Sequence, residues 1–277
     1  MTEEQTNIEK KFVKVFEFFD NGLVHGTIAF SSFGIKFLLL DNISVIPIPC
    51  TDFERNKSQV QQVITPTCPR FFEDFKNNFE KRWSIVDPLS SVDGPSSWNI
   101  IHQQDEREFI LSQSTLIAGL SEIEEGSIFL LRDKYMSRVC SEGKFSVKFK
   151  ALNEGIIGMV FRYNEKGSFY IVEISGEREK FIRFRKKIDG VMQLISMKPL
   201  TGYSIGNWYS IVIYMKNDNF NVYMTQNYIH DSITKVFDNN VNDTDLKIGF
   251  VGISTYKTKA LFSEISLSPV DDLDSNN

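Results

Sequence analysis

The stretch KFIRFRKKID contains a row of cations and is one of the most charge-biased parts of the chain. In an extended strand alternate residues share a face, so Arg183, Arg185 and Lys187 project from one side. Three cations in a row could bind phosphate, sulfate or carboxylate groups, the arginines through bidentate hydrogen bonds. The other interpretation is a solvated strand face that its own charge protects from edge-to-edge pairing.

The segment GMVFRYNEKGSFYIVEI places an arginine and aromatic residues around one hairpin. Alternation predicts Met159, Phe161 and Tyr163 on one face of the first strand, with Val160 and Arg162 on the other. Arg162 is then either an arginine bonded to a neighbouring loop or a ligand-binding residue. Both interpretations remain open at the level of sequence.

We predict a recognition face built from five side chains that combine charge with aromatic area. A tryptophan that opens a strand is more often part of a core, which makes the last of them the weakest candidate. The predicted ligand-binding residues are Arg162, Tyr170, Arg183, Arg185 and Trp208.

Short strands at regular intervals supply the elements that must position these side chains. Turn signals such as Asn164–Gly167, Asp189-Gly190 and Asn217–Asn219 separate them. Such a pattern predicts an all-β, antiparallel two-sheet sandwich of the jelly-roll type. The eleven predicted strands are FILSQSTLI, GSIFLLR, KFSVKFKAL, IIGMVFRY, SFYIVEIS, KFIRFRKK, VMQLISMK, WYSIVIYM, FNVYMTQ, KIGFVGIS and LFSEISLS.

The N-terminal part of the chain has a different pattern of apolar and polar residues from the rest. Apolar runs over residues 12–49 predict a small β-meander. The stretch HGTIAFSSFGIKFLLLDNISVIPIPCTDF also resembles the first strands of a pleckstrin-homology or GRAM-like module. Residues 54–70 read as a linker. The spacing of the phenylalanines in FFEDFKNNFE predicts a short helix over residues 71–80. The polar sequence DDLDSNN forms an acidic tail over residues 271–277.

Composition limits the classes of function. The 277 residues carry a net charge of −5, so attraction to nucleic acid or to an acidic membrane requires a local patch. Three widely spaced cysteines predict no disulfide framework and a reducing compartment. With no apolar leader or membrane span in the sequence, we expect a cytoplasmic protein without a transmembrane segment.

Seven motifs follow one another over about residues 98–268. They are SWNI, Gln113-Ser114, GMVFRY, Tyr170 with Val172, FIRFRKKIDG, Trp208-Tyr209 with Ile211 and Ile213, and Ile248-Gly249-Phe250 with Phe262, Ile265 and Leu267. In this order they resemble the concanavalin A-like lectin/glucanase superfamily, above all its laminin-G-like and thrombospondin C-terminal-like members. Each motif alone is weak, and the order carries the resemblance.

The resemblance implies a large jelly roll and raises two chemical possibilities. A glucanase of this group would need paired carboxylates in an E-x-D-x-E pattern. The nearest match, Glu173-Ile174-Ser175-Gly176-Glu177, lacks the central carboxylate, so we predict no enzymatic activity. Calcium, common in the lectin branch, could bind the oxygen-rich residues 238–245, although a polar loop explains them equally well.

These observations predict a small β-rich region over residues 1–79 and a concanavalin A-like sandwich over residues 80–270. The predicted function is a non-enzymatic binding module that recognises a protein partner or a glycan, without a cofactor and without nucleic acid. The alternative is an intracellular adaptor that binds phospholipid or another anionic ligand through the basic strand at residues 180–187, with peripheral contact to an anionic membrane.

Overall fold

The computed structural model of the chain describes residues 67–76, 79–89, 91, 93–103, 108–119, 125–132, 140–226 and 233–270. The β-rich region and linker predicted before residue 67, and the acidic tail over residues 271–277, lie outside the described residues.

The described part of the chain contains sixteen strands and one short helix. In chain order they are β1 (Phe71–Glu73), α1 (Phe79–Arg82), β2 (Trp83–Val86), β3 (Trp98–Gln103), β4 (Glu108–Gln113), β5 (Ser127–Leu131), β6 (Gly143–Ala151), β7 (Ile156–Tyr163), β8 (Phe169–Ser175), β9 (Phe181–Ile188), β10 (Val191–Pro199), β11 (Trp208–Lys216), β12 (Asn219–Gln226), β13 (Thr234–Lys235), β14 (Val241–Asn242), β15 (Phe250–Tyr256) and β16 (Ala260–Ser268).

Within these residues the strands pair antiparallel in two sheets. The nine-stranded sheet has the order β13-β12-β11-β6-β16-β4-β3, with β1 paired to β16 and β14 paired to β12. The seven-stranded sheet has the order β10-β9-β8-β7-β15-β5-β2, so the GMVFRY and FYIVEI strands lie side by side near its middle. The predicted all-β two-sheet sandwich is confirmed, and the eleven predicted strands correspond to β4–β12, β15 and β16.

Aromatic side chains fill the space between the sheets. Alternate residues of β6, namely Phe145, Val147 and Phe149, point inward and are buried. The rings of Phe184 and Phe220 belong to the same core, with centroids 5.5 Å apart. Burying this apolar area is the main force that holds the two sheets together.

The opposite face of the seven-stranded sheet carries a second apolar cluster. Its residues alternate with the residues that enter the main core, as period-two side chains must. The cluster contains Ile128, Leu130, Val160, Phe169 and Ile171, and all five are buried.

The helix predicted over residues 71–80 is wrong over its first part. Phe71–Glu73 is a strand that pairs with β16, and only Phe79–Arg82 is helical. Phe75 has a positive φ of 55°, which interrupts a right-handed helix. The Glu73 carboxylate then accepts hydrogen bonds from Arg82 and from the Trp83 indole, so tertiary pairing overrides local helix spacing.

Cys68 and Cys140 form one disulfide, which the small and odd number of cysteines argued against. It joins the segment before β1 to the segment before β6, where Gly143 leaves room for Cys68. The pair is buried, and such bonds persist mainly in oxidising compartments. The cysteines therefore no longer support a reducing compartment, and the cytoplasmic location stays a prediction.

Candidate functional site

Arg162 ties together three separate segments at one end of the sandwich. Its guanidinium donates hydrogen bonds to the backbone carbonyls of Leu246, Ser141 and Asn217, at 2.7, 2.8 and 2.5 Å. It also lies over the ring of Phe220, 4.8 Å from the centroid. Burial lowers the pKa of the guanidinium from its ordinary value. The side chain is buried, so these contacts describe a structural clamp.

The alternation predicted for β7 is wrong at its end because the strand contains a bulge. Two residues, Phe161 and Arg162, oppose the single residue Val251 of β15. The bulge turns Arg162, whose φ is 51°, towards the main core, whereas Tyr163 packs with Val160 on the other face. A one-residue insertion reverses the facing of every residue after it.

Tyr170 is the buried end of a polar network that extends to the partly exposed Asp245. Its hydroxyl donates to Asp243 Oδ1 over 2.6 Å and accepts a hydrogen bond from the Leu246 amide. Lys186 donates to Asp243 Oδ2 and Asp245 Oδ2, both at 2.6 Å. Burial and the hydrogen bond to Asp243 raise the pKa of Tyr170 well above its ordinary value.

The ammonium group of Lys186 occupies the position that a cation would take between Asp243 and Asp245. Burial disfavours its charge, but the two hydrogen-bonded carboxylates outweigh this and raise the pKa of Lys186. In the described ranges no group of three or more His, Cys, Asp or Glu side chains could hold a metal ion. The oxygen-rich residues 238–245 thus give two of their carboxylates to an internal ion pair.

Arg183 and Arg185 project from the same face of β9, as alternation predicts, and both contact one carboxylate. Arg183 Nε and Arg185 Nε each donate to Glu173 Oε2 at 2.6 Å, and Arg185 Nη2 donates to Oε1 at 2.6 Å. Glu173 is only 3% exposed. The third cation of the row, Lys187, pairs with Glu125. The three cations of the predicted basic row are therefore all paired, although the two arginines share one carboxylate.

Sequence reasoning named Glu173 and Arg183 without recognising that they are partners. The two residues are directly opposite each other in the β8–β9 pair. The short turn between the strands sets this register, so counting outward from the turn residues 176–180 would have found the pair.

Trp208 lies outside the core between the sheets. It opens β11 opposite Lys150, on the outer face of the nine-stranded sheet. The ammonium groups of Lys148 and Lys150 lie 5.4 and 5.6 Å from its ring centroid. The five predicted recognition residues thus lie in three separate places. Arg162 and Tyr170 both contact Leu246, Arg183 and Arg185 share Glu173, and Trp208 lies on the nine-stranded sheet.

A groove of about 510 Å³ lies between β10 and residues 236–242. It combines amide, carboxylate and hydroxyl groups with apolar side chains, and an ion pair of 3.7 Å between Lys198 and Asp238 joins its two walls. Asp238 is 93% exposed at its side chain. The lining includes Ser196, Met197, Phe237, Asp238, Asn239 and Asn242.

No family model and no curated protein sequence matches this chain. Several solved structures are similar to it in fold. A carbohydrate-binding module (CBM66) from Bacillus subtilis has a TM-score of 0.48 at 14% identity, covering 64% of this chain and 94% of that one. A prokaryotic β-1,3-1,4-glucanase (lichenase) from a mouse hindgut metagenome has a TM-score of 0.46 at 14% identity, covering 74% and 100%. A basic winged bean lectin solved with Tn-antigen has a TM-score of 0.44 at 11% identity, covering 74% and 100%.

These similarities concern the arrangement of strands alone. The chain is similar in its arrangement of strands to lectin and glucanase chains. Binding proteins and hydrolases both occur among the similar structures. Among the described residues, no helix is long and apolar enough to cross a membrane.

Proposed function

We propose that this chain is a non-enzymatic binding module that recognises a glycan in the groove between β10 and residues 236–242. The observation that carries the proposal is the lining of that groove. Asp238, Asn239 and Asn242 offer both acceptors and donors, and Met197 and Phe237 supply apolar area beside them. Sugar hydroxyls need such paired acceptors and donors, and the apolar faces of sugar rings pack on side chains like these.

The position of Glu173 supports a binding role over hydrolysis. A hydrolase of the glycosidase type needs one carboxylate free to attack or to activate water, and a second one that carries a proton. Both oxygens of Glu173 already accept hydrogen bonds from Arg183 and Arg185. A carboxylate held in this way serves the sheet as an ion-pair partner.

The groove can be tested with a glycan array followed by titration calorimetry on the best ligand. The variant is Asp238→Ala/Asn239→Ala, and the matched control is Asp93→Ala/Asn99→Ala, which removes the same groups from exposed positions elsewhere. Loss of one or two hydrogen bonds should weaken binding about tenfold in the groove variant. The control should bind like the wild type.

Two results would contradict the proposal. One is a glycan ligand whose affinity does not change in the groove variant, because the ligand then binds elsewhere. The other is a broad array without any ligand. Turnover of a β-glucan by the wild type would instead show a hydrolase.

A protein partner is the second candidate, and β10 is the observation that favours it. This strand is the outermost strand of the seven-stranded sheet as described, and the segment VMQLISM contains no charge. Val191 and Leu194 are each 58% exposed. Uncharged outer strands readily pair with an added strand. A partner captured from native cells and lost in Leu194→Lys would support this candidate over the glycan.

A further inference from the structure

The outer face of the nine-stranded sheet carries a row of lysines. Strand register places residues that are opposite each other on the same face. Lys150 lies opposite Trp208, Lys148 opposite Ser210, and Lys144 opposite Tyr214. We call the surface formed by the outward residues of β6, β11 and β12 the lysine face. Its members are Lys144, Ser146, Lys148, Lys150, Trp208, Ser210, Val212, Tyr214, Lys216, Asn219, Asn221, Tyr223 and Thr225.

Alternation along β6 shows that the lysine face points away from the core. The intervening residues Phe145, Val147 and Phe149 are buried between the sheets, whereas Lys144 and Lys150 are partly exposed. The side chain of Lys148 is 20% exposed. Lysines on such a surface lay their aliphatic stems along neighbouring rings and keep the ammonium group at the solvent.

The charge on this surface is opposite to that of the whole chain. The sequence has a net charge of −5, yet β6, β11, β12 and β16 together contain a single carboxylate, Glu264. Glu264 pairs with Lys148 at 2.9 Å. Among the residues that the structure describes, Lys144 and Lys150 form no ion pair, and their contacts are with the rings of Tyr214 and Trp208.

We propose that the lysine face binds an acidic polysaccharide, a sugar chain that carries carboxylate or sulfate groups. Same-face residues of a strand are about 7 Å apart, so the row from Lys144 to Lys150 extends over about 20 Å in a straight line. A stiff linear polyanion matches such a row. Lysine contributes a point charge without a fixed hydrogen-bonding fork, so either kind of acidic group can satisfy it.

The composition between the lysines favours a sugar chain over a bilayer. Ser146 and Thr225 offer hydroxyl groups that can bond to sugar hydroxyls. The larger apolar and aromatic side chains of the face, Trp208, Val212, Tyr214 and Tyr223, are buried or half-buried, so none projects far enough to enter a bilayer. The inference is independent of the groove, which is lined by other residues.

Calorimetry with three polymers tests the proposal: polygalacturonate for carboxylate, dextran sulfate for sulfate, and uncharged dextran. The variants are Lys144→Gln/Lys148→Gln/Lys150→Gln and the corresponding triple arginine variant. The control is Lys166→Gln/Arg178→Gln/Lys180→Gln, which removes the same charge from exposed turns of the seven-stranded sheet. Thermal unfolding of each variant verifies that it is folded.

We expect the wild type to bind at least one charged polymer, to ignore dextran, and to bind more weakly as salt rises from about 0.1 M to about 1 M. The triple glutamine variant should lose about tenfold or more in affinity, because three ion contacts disappear. The triple arginine variant and the control should bind as the wild type does. Lys144→Gln/Lys150→Gln, which keeps the Lys148–Glu264 pair, should show a smaller loss.

Three outcomes would overturn the proposal. The first is that neither charged polymer binds. The second is that the control loses as much affinity as the triple glutamine variant. The third is that vesicles containing phosphatidylserine bind through the lysines while the polymers do not, which would identify a membrane surface. A failure of Asp238→Ala/Asn239→Ala to affect a neutral glycan would leave this result untouched, so the two proposals fail separately.

Discussion

Glu173 and Arg185 are diagonal neighbours on β8 and β9 and form a bidentate ion pair. Arg185 Nε and Nη2 donate to the two oxygens of Glu173, each over 2.6 Å, and Arg183 donates to the same carboxylate. Both members of the bidentate pair are buried on the outer face of the seven-stranded sheet. The residue that most resembles a glycosidase carboxylate in the sequence is thus the centre of a structural ion-pair cluster.

Replacing this carboxylate should destabilise the fold. In Glu173→Gln the buried Arg185 and the partly buried Arg183 lose the carboxylate that they share, which should lower the free energy of unfolding by about 3 kcal/mol. Urea denaturation measures the effect. Glu165→Gln is the matched control, because the Glu165–Arg132 pair is largely exposed and should change stability by less than about 1 kcal/mol. Equal effects of the two substitutions would contradict the buried-cluster interpretation.

The pattern of the sequence was enough to predict the strands around Glu173 and their two-sheet arrangement. Alternation also predicted that Arg183, Arg185 and Lys187 share a face. The Glu173–Arg183 pair follows from the short turn between β8 and β9, so the sequence contained the information needed to predict it. Glu125 and Lys187 are 62 residues apart, and only the fold brings them together.

Arg162 should be essential for stability. It donates to three backbone carbonyls from separate segments, and Arg162→Met would leave these carbonyls without that donor. We expect a loss of at least about 3 kcal/mol in the free energy of unfolding. Arg162→Lys should recover part of this, because one ammonium group can reach some of the carbonyls. Arg132→Met, at an exposed position, is the control, and a similar loss there would argue against the clamp.

The position of Arg162 shows where sequence alternation stops being informative. A bulge leaves no mark in a run of apolar and aromatic residues such as GMVFRY, so simple alternation assigned Tyr163 to the wrong face. The groove between β10 and residues 236–242 was missed for a similar reason. Its two walls come from the two different sheets, and no spacing within one segment encodes their approach.

The Tyr170–Asp243–Lys186 network should make stability depend on pH at the acidic end. Burial alone would raise the pKa of Asp243, but hydrogen bonds from Lys186 and Tyr170 outweigh it and lower the pKa. A carboxylate whose pKa is lower in the folded state stabilises the protein above its unfolded pKa of about 3.9. That contribution disappears as the pH falls through the lower folded value.

Thermal unfolding of the wild type and of Asp243→Asn over a range of pH measures this contribution. The wild type should melt at a higher temperature near neutral pH, and the difference should shrink as the pH falls below about 4. The pKa of Lys186 is raised, so its contribution is complete below the ordinary lysine range and is lost only in strongly alkaline solution. Asp93→Asn, in an exposed turn, should give no such difference. A gap between wild type and Asp243→Asn that stays constant with pH would count against the network.

Reduction of the Cys68–Cys140 disulfide should lower the stability of the sandwich. The bond closes a loop with a sequence separation of 72 residues, and the chain-entropy model gives about 4 kcal/mol for a loop of this length. The Cys68 amide also donates to the Glu142 carbonyl, and β1 follows directly, so the segment should remain paired after reduction. We therefore expect a lower melting temperature in Cys68→Ser/Cys140→Ser, while circular dichroism should show that the sheets are retained.

A reductant should lower the melting temperature of the wild type and of Cys50→Ser alike, and it should leave the double variant unchanged. A wild-type melting temperature that ignores the reductant would show that the two thiols are not joined in solution.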